Sequence, residues 1–139
     1  MAEFVALNVR VELDGVVLSD HCKGVTFNAK RDMPEATTFG DYWRRFLPGL
    51  KDLEKSLNFN ADYASAKVDD TLWSPWDDGT AIAVNLRPDA GAIAADNPEY
   101  QTSDYVENYG ILDVTPGAIA SNSVSFKNAS GTVTRDVTP

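Results

Sequence analysis

The stretch Val5-Ala6-Leu7-Asn8-Val9-Arg10-Val11-Glu12-Leu13-Asp14-Gly15-Val16-Val17-Leu18 sets the class of fold. Val5, Leu7, Val9, Val11 and Leu13 fall on one face, and Ala6, Asn8, Arg10 and Glu12 on the other. A period of two is that of a half-buried strand. Asp14-Gly15 then offers the positive-φ positions of a tight hairpin turn, and residues 16–18 resume the apolar pattern.

Working outward, the same period returns at 23–28, with Val25 and Phe27 inward, and at 53–60, where Leu53, Leu57 and Phe59 alternate with Glu54, Ser56, Asn58 and Asn60. After Asp78-Gly79 it returns again, with Ile82, Val84 and Leu86 inward. Residues 42–47 read as a short strand closed by Pro48-Gly49, and 92–95 as another. Residues 100–114 read as a long Tyr- and Val-rich strand, and 124–126 and 132–138 as two further strands. One segment switches period: Ala64, Val68, Leu72 and Trp76 recur at four-residue steps, which predicts a helix. Asp62 or Asp69 is its expected N-cap, and Pro75 is expected to end or kink it. Roughly eight strands and one helix predict a mainly β single domain over 1–139, a β-sandwich or small barrel with one flanking α-helix.

Residues 29–41 keep no period at all. Lys30, Arg31, Asp32 and Glu35 mix charges, Pro34 and Gly40 interrupt regular structure, and only Met33 and Phe39 offer apolar anchors. Unstructured loops beyond about 12 residues are uncommon in compact domains and are usually functional or disordered. This loop is therefore expected to be mobile in the free subunit and to order against a partner surface.

Composition narrows the function. The chain holds 21 acidic and 12 basic residues for a net charge of −9, the opposite of a nucleic-acid footprint, in which Lys and Arg neutralise phosphate. The excess grows along the chain: residues 1–87 carry 14 acids and 10 bases, net −4, and residues 88–139 carry 7 acids and 2 bases, net −5. No apolar run approaches the ~20 residues of a membrane helix, and the opening residues lack the pattern of a secretory signal. The single cysteine, Cys22, allows no internal disulfide.

Catalytic constellations are weak. His21 and Cys22 are neighbours, but on a strand adjacent side chains point to opposite faces, and a zinc site needs about four ligands at characteristic spacing. A surface histidine beside a small buried cysteine is the expectation. Asp69-Asp70 and Asp77-Asp78 are paired carboxylates, yet the first pair sits at the predicted helix start, where the dipole favours negative charge, and the second leads into a Gly turn. Trp43, Trp73, Trp76, Tyr100, Tyr105 and Tyr109 raise a sugar-binding face as an alternative, although aromatics at this spacing more often belong to cores and subunit interfaces. Phosphate-loop, dinucleotide and nucleophile-elbow patterns are absent from the sequence. No enzyme activity and no cofactor or metal is expected.

Several segments, taken in order, resemble the major tail proteins, or tail tube proteins, of long, non-contractile-tailed bacteriophages. They are residues 11–19 (Val-Glu-Leu-Asp-Gly-Val-Val-Leu-Ser), Thr37-Thr-Phe-Gly40, Pro48-Gly-Leu50, Val68-Asp-Asp-Thr-Leu-Trp73, Asn97-Pro-Glu-Tyr100 and Gly131-Thr-Val-Thr-Arg-Asp136. The resemblance implies a β-sandwich or barrel with one helix that self-assembles into rings, usually hexameric, stacked into a hollow tube in the virion tail. Such a tube is assembled in the host cytoplasm alongside a tape measure and other tail proteins. Genomic DNA passes through it without specific binding, and no membrane is involved. On this reading Met33, Thr38, Phe39, Gly40 and Trp43 are the subunit-interface candidates. Asp14, Asp20, Asp89, Asp96 and Glu99 are the candidates for an acidic lumen. A tail terminator or connector, or a stand-alone carbohydrate- or peptide-binding module, are the competing readings.

Overall fold

A computed structural model describes residues 8–138; Val5, Ala6 and Leu7 of the opening strand lie outside them. The elements are β1 (Arg10–Leu13), β2 (Val16–Val17), β3 (Cys22–Arg31), β4 (Lys51–Asn60), α1 (Val68–Asp78), β5 (Ile82–Arg87), β6 (Glu99–Asp113) and β7 (Ser121–Asp136). The strands form one sheet in the order β2-β1-β5-β6-β7-β4-β3, antiparallel at every step. The opening hairpin is as expected: Asp14 (φ 51°) and Gly15 (φ 79°) both turn left-handed, and Leu13 pairs with Val16.

The long β6–β7 ribbon explains how one sheet encloses a core. The start of β6 pairs with β5, the start of β7 pairs with β4, and the two strands run beside each other almost throughout. Their register slips between Thr102 and Asp104, between Val106 and Asn108, and between Gly110 and Asp113. Such bulges bend and twist a strand, so the ribbon serves both halves of the sheet while the sheet rolls over a shared interior. Val11, Leu13, Leu57, Phe59, Val84, Val106, Val124 and Phe126 meet there with Val68 and Leu72 of α1. The expected sandwich or barrel is thus a single continuous sheet. Residues 124–126 and 132–138 are one strand, because the excursion at 128–132, with Gly131 at φ 70°, occurs inside β7. The short strand expected at 92–95 is only a bridge between Ala94 and Asn97.

The helix differs from expectation in three ways. Its N-cap is Lys67, which makes no side-chain cap; instead Asp70 in the first turn reaches back to the Ala66 N–H at 2.8 Å. Asp62 acts earlier, accepting from the Ala64 N–H at 3.0 Å. Pro75 does not end the helix. Its ring is buried, the helix continues to Asp78, and Gly79 closes it in the left-handed conformation, donating to the Pro75 carbonyl at 3.0 Å. The buried row is therefore Val68, Thr71, Leu72 and Pro75, and Trp76 lies on the exposed side.

The interior also holds charge. In β4 the buried row is Leu53, Lys55, Leu57 and Phe59. The Lys55 ammonium lies 2.8 Å from the Asp104 carboxylate of β6, both side chains fully buried, at an angle that makes no hydrogen bond. Thr102 donates to the other Asp104 oxygen at 2.6 Å. At the far end Glu99 is buried beside Arg87 and Arg10. Among the described residues no helix is long and apolar enough to cross a membrane.

Candidate assembly surfaces

Beyond the core, β3 and β4 do not stop pairing where their strands end. The Asp32 N–H donates to the Leu50 carbonyl (2.8 Å), the Leu47 N–H to Pro34 (3.0 Å), and the Ala36 N–H to Arg45 (2.7 Å). The segment expected to be a structureless loop at 29–41 is thus half of a two-stranded arm: residues 29–31 belong to β3, and residues 32–50 continue the ribbon to a tip. At the tip the Thr38 N–H donates to the Asp41 carboxylate at 2.9 Å, and Gly40 turns with φ 97°. The strand expected at 42–47 is the return side of this arm, paired by a single bridge from Phe46 to Glu35. Pro48-Gly49 is not a reversal, since the Gly49 N–H donates to the Asp32 carbonyl. A Cβ on Gly49 would approach that carbonyl to 3.1 Å, which is why the smallest residue stands there.

All five interface candidates lie on this arm. Met33 is on the outgoing side, Thr38, Phe39 and Gly40 form the tip, and Trp43 begins the return. From Arg31 to Leu50 every residue except Ala36 is exposed. Phe39 and Tyr42 are fully exposed, and Trp43 is 87% exposed. Sequence reasoning missed Tyr42, Phe46, Leu47 and Leu50, which extend the same apolar surface. Their signal was present as four large apolar residues beside two prolines with no period to bury them. Together they make a contiguous exposed apolar surface that no other part of the described chain covers.

Two further apolar surfaces are open. Trp73 and Trp76 pack at 5.1 Å with their rings tilted by 40° on the outer side of α1, and Ile111, Leu112, Val114 and Ile119 are exposed around the β6–β7 connection near Tyr63. The six aromatics of the sugar-face alternative do not converge. Trp43 is on the arm, Trp73 and Trp76 are on α1, and Tyr109 is buried with its hydroxyl donating to Asp69 at 2.5 Å. Burial, and then Asp69, push that phenol well above its ordinary range.

The acidic candidates separate. Asp14, at the β1–β2 turn, and Asp20, before β3, are exposed, as is Asp96. Asp89 is half-buried and accepts from Asn8 at 3.2 Å. Glu99 is removed from the set: it is buried and paired with Arg87 and Arg10, so it presents no charge to solvent. Because Arg10 pairs with Arg87 and Leu13 with Val84, the length of β1 stands between Asp14 and the 88–98 loop carrying Asp89 and Asp96. They form no single patch on one subunit. Asn97, noted in the sequence only as the start of the Asn97-Pro-Glu-Tyr100 turn, organises that loop. Its buried amide donates to the carbonyls of Asp89 and Ala92, both at 3.0 Å.

His21 is held between two carboxylates, Asp20 at Nδ1 (2.8 Å) and Asp62 at Nε2 (2.7 Å). The aspartates occupy opposite sides of the ring, so the three groups do not converge on one point. The hydrogen bond to Asp20, with that to Asp62, raises the His21 pKa despite partial burial. Cys22 opens β3, half-buried against the core, and burial pushes its thiol up.

The rolled antiparallel sheet with one flanking helix is a fold this chain shares with chains of solved tail structures. In the tail of an empty gene transfer agent particle, refined with C6 symmetry, a chain 14% identical matches with a TM-score of 0.73, covering 95% of this chain and 96% of that one. In the native gene transfer agent virion, a chain 13% identical matches with a TM-score of 0.78, over 97% and 100%. The SPP1 tail tube contains another, 9% identical, with a TM-score of 0.76 over 98% and 81%. No protein-family model matches the chain, and no curated protein matches it.

Proposed function

We propose that this chain is the tube-forming structural subunit of a phage-type tail, with copies closing into rings that stack through the arm into a hollow tube. The observation that carries the reading is the arm itself: a paired ribbon with Met33, Phe39, Tyr42, Trp43, Phe46, Leu47 and Leu50 all exposed, on a fold shared along the whole chain with subunits of assembled tails. Burying one such side chain fully contributes about 1.5–3 kcal/mol, and a tube repeats the contact at every subunit. The sheet edges support lateral association, since β3 is a ten-residue edge strand, and exposed edges pair unless managed.

Six subunits per ring is the number favoured by the C6 symmetry of the gene transfer agent tail. The role is structural rather than enzymatic, and its place is the virion tail, assembled in the host cytoplasm with a tape measure and other tail proteins. Genomic DNA would pass through the lumen unbound, repelled by the net charge of −9 and by exposed acids such as Asp20 and Asp96. Negative-stain imaging of the concentrated protein tests this: rings and tubes are expected from the intact chain. A protein that stays monomeric at all concentrations, alone and alongside other tail proteins, would refute the reading. Tight, salt-sensitive DNA retention by the tubes would refute the repelling lumen.

A further inference from the structure

We infer that the outer face of α1 is the seat on which the arm of a second copy docks; this deepens the tube reading and rests on it. Trp73 and Trp76, three residues apart and so neighbours on the helix surface, are 41% and 43% exposed, and their rings, 5.1 Å apart and tilted by 40°, make an open apolar surface. Asp70 and Asp77, at i−3 and i+4 from Trp73, frame the platform on the same face. The helix carries four aspartates and no base. Asp77 and Asp78 occupy its last turn, where the dipole disfavours negative charge, and neither has an ion-pair partner among the described residues. That placement works against the subunit's own helix and calls for a cation from outside. A groove of about 480 Å³ alongside, between α1 and the β1–β2 turn, adds Asp14 to Asp70 and contains no base.

The arm is the complement of this seat. Residues 30–51 hold five of the chain's 12 bases against three acids, net +2 in a chain of net −9. Arg44 has 78% of its side chain exposed, and among the described residues its ion-pair partner is Glu35, at 3.8 Å. It follows directly on the exposed Tyr42 and Trp43. One surface thus offers a cation next to aromatic rings and the other offers aromatic rings framed by carboxylates, the arrangement in which a guanidinium both stacks and pairs. Within one subunit α1 packs on β6, while the arm tip stays uncovered, so the partner arm has to come from another copy.

The test is a charge exchange in the full-length protein, with tube formation measured by sedimentation and negative-stain imaging. Asp77→Arg alone and Arg44→Asp alone should each reduce sedimenting tube by about tenfold or more, and the two combined in one chain should restore it. Asp77→Arg puts a base at a helix C-terminus, so the monomer should stay folded, which circular dichroism verifies. Trp73→Ser should also abolish tubes without unfolding the subunit. Asp77→Arg tubes equal to wild type, or a combined variant no better than either single one, would overturn the assignment. If Phe39→Ala blocks tubes while Asp77→Arg does not, the arm acts elsewhere and the tube reading survives. If the unaltered chain forms no tubes at any concentration, alone or alongside other tail proteins, both readings fall.

Discussion

β4 and the arm are built from one continuous run of chain and obey opposite rules. Along β4 the inward residues Leu53, Lys55, Leu57 and Phe59 are buried, even where the residue is a lysine. A few positions earlier Leu47 and Leu50 are exposed, as are Met33 and Phe39 across the ribbon. Backbone pairing continues through both regions, so main-chain hydrogen bonding does not distinguish them. What differs is whether a facing layer exists: Leu57 and Phe59 of β4 meet Leu13 of β1, Val84 of β5 and Val68 and Leu72 of α1 in the shared core, and the arm has nothing from its own chain opposite it. Side-chain burial here is a property of what lies opposite, and the sequence carries both kinds of apolar residue without distinction.

The largest expected effect breaks the β4 side. Lys55→Ala leaves Asp104 charged and buried without its partner, which should cost about 3–5 kcal/mol, measured by urea unfolding. Replacing both, with Lys55→Met and Asp104→Leu, should recover most of that loss, because a buried pair is often no more stabilising than apolar groups of similar volume. A double variant as unstable as the single one would show that the pair does more than avoid an orphan charge.

Next comes Gly110 in β6, where an added Cβ would fall on the Ser123 hydroxyl of β7. Gly110→Ala should destabilise by no more than about 1 kcal/mol, because Ser123 is exposed and its hydroxyl can rotate away, and adding Ser123→Ala should relieve what remains, since the hydroxyl is the obstructing atom.

A smaller effect depends on pH. The His21 pKa is raised from 6.5 and those of Asp20 and Asp62 are lowered from 3.8, each chiefly by hydrogen bonds, between His21 and Asp20 and from the Ala64 N–H to Asp62. The histidine contribution is therefore complete below about pH 6.5 and disappears as pH rises through the elevated value; the aspartate contribution is present above their ordinary range and disappears as pH falls through their depressed values. The urea midpoint of wild type minus that of His21→Gln should be greatest in the mildly acidic range between and shrink on both sides. A difference that grows toward pH 9 would contradict the arrangement.

The smallest expected change in stability belongs to the arm, and it sharpens the contrast. Phe39→Ala and Trp43→Ala should leave the unfolding midpoint of the monomer within about 0.5 kcal/mol of wild type, while abolishing tubes. Hydrogen exchange adds a second measure: the Ala36 and Leu47 amides, bonded across the ribbon, should be more protected in the tube than in the monomer.

The contrast also explains what was legible beforehand. The β1–β2 hairpin could be read because its alternation, the left-handed Asp14-Gly15 turn and the buried face all agree locally. The helix was legible as an element and Val68 and Leu72 as its buried residues, but the rest of the buried row was not, because Pro75 was weighed as a breaker rather than as an apolar ring that packs. Lys55 could not be found by alternation, which assigns charges outward, and its partner Asp104 lies on a distant strand at a bulge. The arm candidates Met33, Phe39 and Trp43 were legible as apolar residues without a period. The pairing that aligns them was not, because Pro34, Pro48 and mixed charges hide a ribbon whose two sides are joined by main-chain bonds and by contacts such as that of Arg45 with Thr37 and Ala36. The split of the acids was invisible because it follows from the register of β1 on β5.

The continuity of the arm with β3 and β4 has a mechanical meaning. A pull on the arm tip runs lengthwise down both strands into β7 and then β6, so the ladder bonds across those seams are loaded together in shear rather than opened one after another. Resistance of that kind is governed by an unfolding rate rather than by equilibrium stability. Because β4 meets β7 along six paired positions, and β7 meets β6 along most of its length, a tensile load entering at the arm is shared by the whole sheet, and a tube linked through such arms would stretch as a chain of sheets before any one subunit came apart.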